Sequence, residues 1–175
     1  MDVTPTILVS MAFVTLLSIA AYTDLRYRVI PNEACLGILW LGFVFNGYSE
    51  GMAGIGSSIV GTLLCLAVFL PGYAIGRMGA GDVKLMTACG CFLGPIAAVN
   101  AIVFTLLVGG IVAIGVLVGR STIYFAPRLY AFFPQSTAAA QSSRIDLPYG
   151  VAISVGAVLA MWFTPITLST FGLYP

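Results

Sequence analysis

The chain has 175 residues, of which 60% are hydrophobic and only 7% charged, with a mean hydropathy of +1.07. A soluble domain carries about 25% charged residues to face water; seven Lys or Arg and six Asp or Glu cannot coat a surface of this size, so the solvent is lipid. A net charge of +1 predicts no nucleic-acid partner, and the lack of His removes the usual neutral-pH base and a common metal ligand.

A helix needs about 20 apolar residues to cross the hydrocarbon layer. The first such run covers residues 5–22. Ser18-Ile19-Ala20 loosely resembles the cleavage site of a secretory signal, but the segment before the run carries Asp2 and no basic residue, which opposes that reading. The run ends at Asp24-Leu25-Arg26-Tyr27-Arg28-Val29-Ile30-Pro31-Asn32, where Pro31 and Asn32 turn the chain into a second span at 33–48. A third span is expected at 53–75. It is followed by Gly79-Ala80-Gly81-Asp82-Val83-Lys84-Leu85, in which two glycines allow close backbone approach and Asp82 stands at the start of the next helix.

The apolar stretch at 85–119 would measure about 52 Å as one helix, too long for a single span. A break at Gly94-Pro95 or at Asn100 divides it, and the expected spans are 83–97 and 100–119. The longest loop follows. Its aromatic residues Tyr124, Phe125, Tyr130, Phe132 and Phe133, with Arg120 and Arg128, read either as a segment lying in the interface or as a plain connection. The last span is 150–173. Cys35, Cys65, Cys89 and Cys91 all lie in apolar runs without zinc-type spacing and read as inert core thiols.

Six spans put every basic residue on one side: Arg26 and Arg28, then Arg77 and Lys84, then Arg120, Arg128 and Arg144. By the positive-inside rule that side is cytoplasmic, and both termini lie opposite, with Asp2 and Glu50. The expected architecture is an all-α polytopic bundle of six transmembrane helices, a single integral membrane domain over residues 1–175.

Asp24 and Asp82 thus fall on one face of the membrane at helix ends. Each taken alone reads as a cap or a boundary charge. Brought together by a bundle, two carboxylates about 3 Å apart cannot both ionise, so one serves as acid while the other activates water. Such a site needs no metal, His or Ser, and no cofactor. Periodicity puts the two helix ends on one side without showing contact. Glu33, Arg77 and Asp146 lie near the same face and read as substrate-path residues or as ordinary helix and loop charges.

At these residues the chain resembles the type IV prepilin peptidases, membrane aspartyl proteases of the glycine-x-glycine-aspartate group. The likeness rests on Asp24-Leu25-Arg26 with Ile30-Pro31-Asn32, on Gly79-Ala80-Gly81-Asp82-Val83-Lys84-Leu85, and more weakly on Pro148-Tyr149-Gly150. It implies removal of the basic leader from prepilins and pseudopilins at the cytoplasmic face of a bacterial inner membrane. Asp24 and Asp82 would be the catalytic pair, with Arg26, Arg28, Pro31, Asn32, Gly79, Gly81 and Lys84 binding substrate or supporting the site. The larger members carry a cytoplasmic insert with two Cys-x-x-Cys pairs and also methylate the new N-terminus. Here a short stretch joins the first two spans, as in the minimal form serving tight-adherence (Flp-type) pili, and N-methylation is not expected. An archaeal preflagellin peptidase would look similar. Two other classes compete: a small ion-coupled transporter or channel subunit, which calls for acids near the midplane, and a non-catalytic assembly protein of pilus or secretion systems with the same fold.

Overall fold

A computed structural model describes residues 3–125 and 149–170. Their regular structure is entirely helical: α1 (Val3–Tyr27), α2 (Asn32–Glu50), α3 (Met52–Ala74), α4 (Ala80–Phe125) and α5 (Tyr149–Thr170). Among the described residues three helices are long and apolar enough to cross a membrane: α1 over Thr6–Tyr27, α3, and α4 as far as Gly115. The apolar part of α5, Tyr149–Thr164, is shorter. Large apolar side chains such as Leu8, Trp40, Leu63 and Ile111 point outward, the reverse of a soluble protein and the arrangement that lipid solvation requires.

Several boundaries differ from those expected. Helix α1 does not stop at residue 22 but carries Asp24 in its last turn. Nothing between Thr23 and Tyr27 breaks a helix; the chain leaves it only at Arg28, which adopts φ 56°. Helix α4 begins at Ala80, so Asp82 lies inside its first turn. It continues past 119 to Phe125, taking in part of the segment read as interfacial; residues 126–148, with Arg128, Tyr130, Phe132, Phe133, Arg144, Asp146 and Pro148, lie outside the described residues.

Helix α4 changes direction at Gly94 (φ 72°, ψ 177°), directly before Pro95, and not at Asn100, which stays helical. The reason is local. Proline has no N–H to offer the carbonyl four residues earlier, that of Cys91, and glycine alone tolerates this φ without strain. Asn46 of α2 supplies the missing donors: its Nδ2 lies 3.1 Å from the Cys91 carbonyl oxygen, 3.3 Å from that of Phe92 and 2.8 Å from Ser58 Oγ of α3. One amide group thereby joins three helices at the kink.

Elsewhere the helices meet through small residues, as packing in lipid favours. Gly61 of α3 and Gly90 of α4 face each other, and a Cβ on Gly90 would stand 2.7 Å from Cys65 Sγ. A Cβ on Gly42 of α2 would stand 2.7 Å from the Phe92 nitrogen. Helix α1 reaches α4 differently, by stacking Phe13 on Phe92 with ring centroids 4.0 Å apart and planes 10° from parallel. All four cysteines are buried and unpaired in this core, with Cys91 Sγ 3.5 Å from the Leu39 carbonyl oxygen.

Replacing Asn46 by Leu strips the kink carbonyls of their donor. The expected loss is about 1–3 kcal/mol, the usual cost of a buried polar group left unpaired. Thermal unfolding of the purified chain in detergent should show it as a lowered midpoint.

Candidate active site

Three chain segments converge below the ends of α1, α4 and α5. Asp24 enters on the last turn of α1 and is 8% exposed; Asp82 enters on the first turn of α4 and is 9% exposed. Both carboxylates line one open cavity of about 310 Å³, together with Arg28, Val29, Ile30, Asn32, Gly79, Ala80, Gly81 and Lys84. They are near enough that each carboxylate feels charge in this cluster: Asp24 repels Asp82, and Arg28 attracts Asp24.

The two acids are held in the same way. Gly79 N–H donates to Asp82 Oδ2 at 3.1 Å, and Gly150 N–H donates to Asp24 Oδ2 at 2.9 Å. The first is a local turn closed over three residues. The second crosses the fold, since Gly150 sits in the first turn of α5, where unpaired N–H groups and the positive end of the helix dipole face a carboxylate. Ser154 of α5 ties the same helix to α1 by donating to the Leu17 carbonyl at 3.2 Å.

Glycine leaves room at the contacts themselves. A Cβ on Gly150 would lie 2.8 Å from Asp24 Oδ2, and one on Gly79 would lie 3.0 Å from Asp82 Oδ2. At Gly81 a Cβ would press on Ile30 at 3.2 Å, closing the gap between the α1–α2 link and α4. Across the mouth, Lys84 Nζ donates to Asn32 Oδ1 at 3.1 Å, joining the first turns of α2 and α4.

Of the residues singled out from sequence, Asp24, Arg28, Asn32, Gly79, Gly81, Asp82 and Lys84 line this cavity, while Arg26 and Pro31 do not. Arg26 is exposed on the last turn of α1, where a cation suits the negative helix end. Pro31, half-buried with φ −64°, sets the entry into α2. Glu33 and Arg77 are exposed and also outside the cavity lining. Val29, Ile30 and Ala80 also line it; they lie within the two motif stretches but were not among the expected site residues. The bond from Gly150 to Asp24 had no signal beyond the Tyr149-Gly150 string itself. Among the described residues no three His, Cys, Asp or Glu side chains gather as a metal site.

Two carboxylates in one partly desolvated cavity can do acid–base work on water, with one protonated and one ionised. Both sit at helix ends, not at mid-helix, and this argues against an ion-conducting role, for which the acids would line a path through the bundle.

Residues 11–114, more than half of the chain, match the family described as type IV leader peptidase. A prepilin leader peptidase/N-methyltransferase of Bacillus subtilis is 28% identical over 93% of this chain and 58% of its own length. The protein of the same name from Pectobacterium carotovorum is 30% identical over 61% of this chain and 39% of its own length. A prepilin peptidase of Methanocaldococcus jannaschii, EppA, is 38% identical over 51% of this chain and 24% of its own length. The chain therefore spans less than two thirds of each of these relatives. No solved structure matches it.

Gly150→Ala should displace Asp24 or tilt α5, at about 1–3 kcal/mol for overpacking a tight contact. Gly56→Ala, where a Cβ meets nothing within 4 Å, should leave the unfolding midpoint unchanged or raise it. Unfolding of the two variants side by side in detergent checks the contrast.

Proposed function

This chain belongs to the type IV leader peptidase family, and from that membership we propose that it is a membrane aspartyl endopeptidase removing the basic leader from Flp-type prepilins and pseudopilins. One observation carries the assignment of Asp24 and Asp82 as the catalytic pair: two nearly buried carboxylates from separate helices line one cavity. The relatives in Bacillus subtilis and Methanocaldococcus jannaschii are named for prepilins, which supports the substrate class.

In this reading the ionised aspartate takes a proton from water, and the resulting nucleophile attacks the scissile carbonyl. The protonated aspartate donates to the oxygen of the tetrahedral intermediate, and a proton passes to the leaving nitrogen as the C–N bond breaks. The glycine N–H groups occupy one oxygen of each carboxylate and leave the other oxygen for water and substrate. Arg28, Asn32, Gly79, Gly81 and Lys84 shape the cavity, and Arg26 and Pro31 act from outside it by setting the α1–α2 turn.

The reading includes six transmembrane spans, both termini on the non-cytoplasmic side, and a site facing the cytoplasm of a bacterial cell. Its support is the distribution of Arg and Lys, together with a kink that splits α4 into two limbs. Only the peptidase half of the relatives' double name is proposed. The link between α1 and α2 is residues 28–31, too short for the insert that accompanies methylation in larger members of the family.

Co-expression with a Flp-type prepilin tests the activity. Wild type should shorten the precursor, while Asp24→Asn and Asp82→Asn at matched membrane levels should each lose at least about 100-fold in rate, the lower range for a lost acid–base group. Retained processing in either variant would sink the pair. The rate against pH should form a bell, because a singly protonated pair is active and the doubly protonated and doubly ionised forms are not; a rate that rises to a plateau would refute shared acid–base action. Reporter fusions at residue 175 and within residues 76–79 should report opposite sides of the membrane.

A further inference from the structure

Among the described residues Arg28 alone, glycines apart, has a positive φ, 56°. It stands just past the last residue of α1, and its N–H donates to the Asp24 carbonyl oxygen at 3.0 Å, the single-bond left-handed cap of a helix. Glycine usually fills this place, because any Cβ strains the backbone there, and asparagine is the common second choice. Arginine has neither advantage.

Its side chain accounts for the exception. Arg28 lines the cavity that holds both carboxylates, and its guanidinium attracts the carboxylate of Asp24. One residue thus bonds the Asp24 carbonyl with its backbone and serves the Asp24 carboxylate with its charge. We propose that Arg28 is a positioning residue, kept at a strained cap because its cation holds Asp24 in the ionised form, which makes Asp24 the base and Asp82 the acid of the pair. The inference rests on the peptidase reading and deepens it.

The surroundings of the two acids are unequal in this respect. Arg28 is exposed, but Asp24 is only 8% exposed, so little water stands between the carboxylate and the charges around it. Those around it besides Arg28 are the Gly150 N–H of α5, a helix whose described residues carry no charge, and Asp82 and Lys84 of α4. On α2, Glu33 is exposed and outside the cavity lining, and Asn32 Oδ1 accepts from Lys84 Nζ at 3.1 Å. Asp82 receives the Gly79 N–H together with the repulsion of Asp24, so the single proton of the pair rests there. In cleavage the water proton passes to the Asp24 oxygen that Gly150 leaves open. The hydroxide oxygen bonds to the scissile carbon, and the Asp82 proton passes to the carbonyl oxygen.

Arg28→Gly, Arg28→Gln and Arg28→Lys separate the backbone from the charge. In thermal unfolding in detergent, Arg28→Gly should raise the midpoint by about 2–4 °C by relieving the cap, while the other two leave it in place. With the purified chain in nanodiscs and a Flp-type prepilin, Arg28→Gly and Arg28→Gln should both move the acidic limb of the rate–pH bell up by about one unit. Below that limb kcat then falls about tenfold with KM unchanged. Arg28→Lys, which keeps the charge, should keep the limb. An unraised midpoint in Arg28→Gly, a limb that stays put in Arg28→Gly or Arg28→Gln, or one that moves as far in Arg28→Lys would each overturn the proposal. Infrared titration of the protonated carboxyl in Asp82→Asn, taken against the same chain with Asp24→Asn added, reads Asp24 without catalysis. If wild type cuts no prepilin but Arg28→Gly moves this titration up by about one unit and Arg28→Lys does not, the hold of Arg28 on Asp24 stands and the peptidase reading falls. If Arg28→Gly leaves the titration in place, the proposal falls whatever the cleavage.

Discussion

Burying a carboxylate at the edge of an apolar bundle costs free energy unless its oxygens find donors. Here the donors are glycine N–H groups, and much of the architecture follows from that need. Gly79 can reach Asp82 only if the chain turns tightly into α4, and Gly150 can reach Asp24 only if α5 starts against the last turn of α1. Glycine leaves room for each bond, because a Cβ would crowd the carboxylate it serves, most severely at Gly150. The site is therefore where three helix ends are obliged to meet, and the bonds that favour the meeting engage one oxygen of each carboxylate.

The remainder of the bundle supports this junction with contacts that do not need water. Gly61 against Gly90 brings α3 and α4 to backbone distance, so that dispersion acts over a long strip. The kink at Gly94-Pro95 would leave two carbonyls without partners in an apolar interior, and Asn46 answers both while holding Ser58 of α3. The same helix that bears Asn46 bears Asn32 at its other end, so α2 carries polar contacts to α4 at both ends and an apolar face between them.

What was legible in the sequence, and what was not, divides along the range of the interaction. The apolar runs marked out helices because burial in lipid acts on every residue of a run. Asp24 and Asp82 could be placed at helix ends on one side because charge near a boundary is itself a local signal. The apolar run stops at the first charge, whereas α1 continues past Asp24 to Tyr27, since a helix stops only where φ and ψ leave the helical basin, at Arg28. The break at Gly94 was one of two options, and backbone chemistry at Pro95 decided it against Asn100. Least legible was the bond from Gly150 to Asp24, across 126 residues, which no periodicity or composition encodes.

The stacked pair Phe13 and Phe92 has a mechanical consequence. Among the described residues α1 lies against α2 and α5 and meets α4 through side chains, while α3 and α4 are locked glycine to glycine. Asp24 therefore rides on a helix that meets α4 through side chains, about three turns from its ring contact, and Asp82 rides on one joined to α3 backbone to backbone. The spacing between the two carboxylates is thus fixed by a side-chain seam on one side of α4 and a backbone seam on the other.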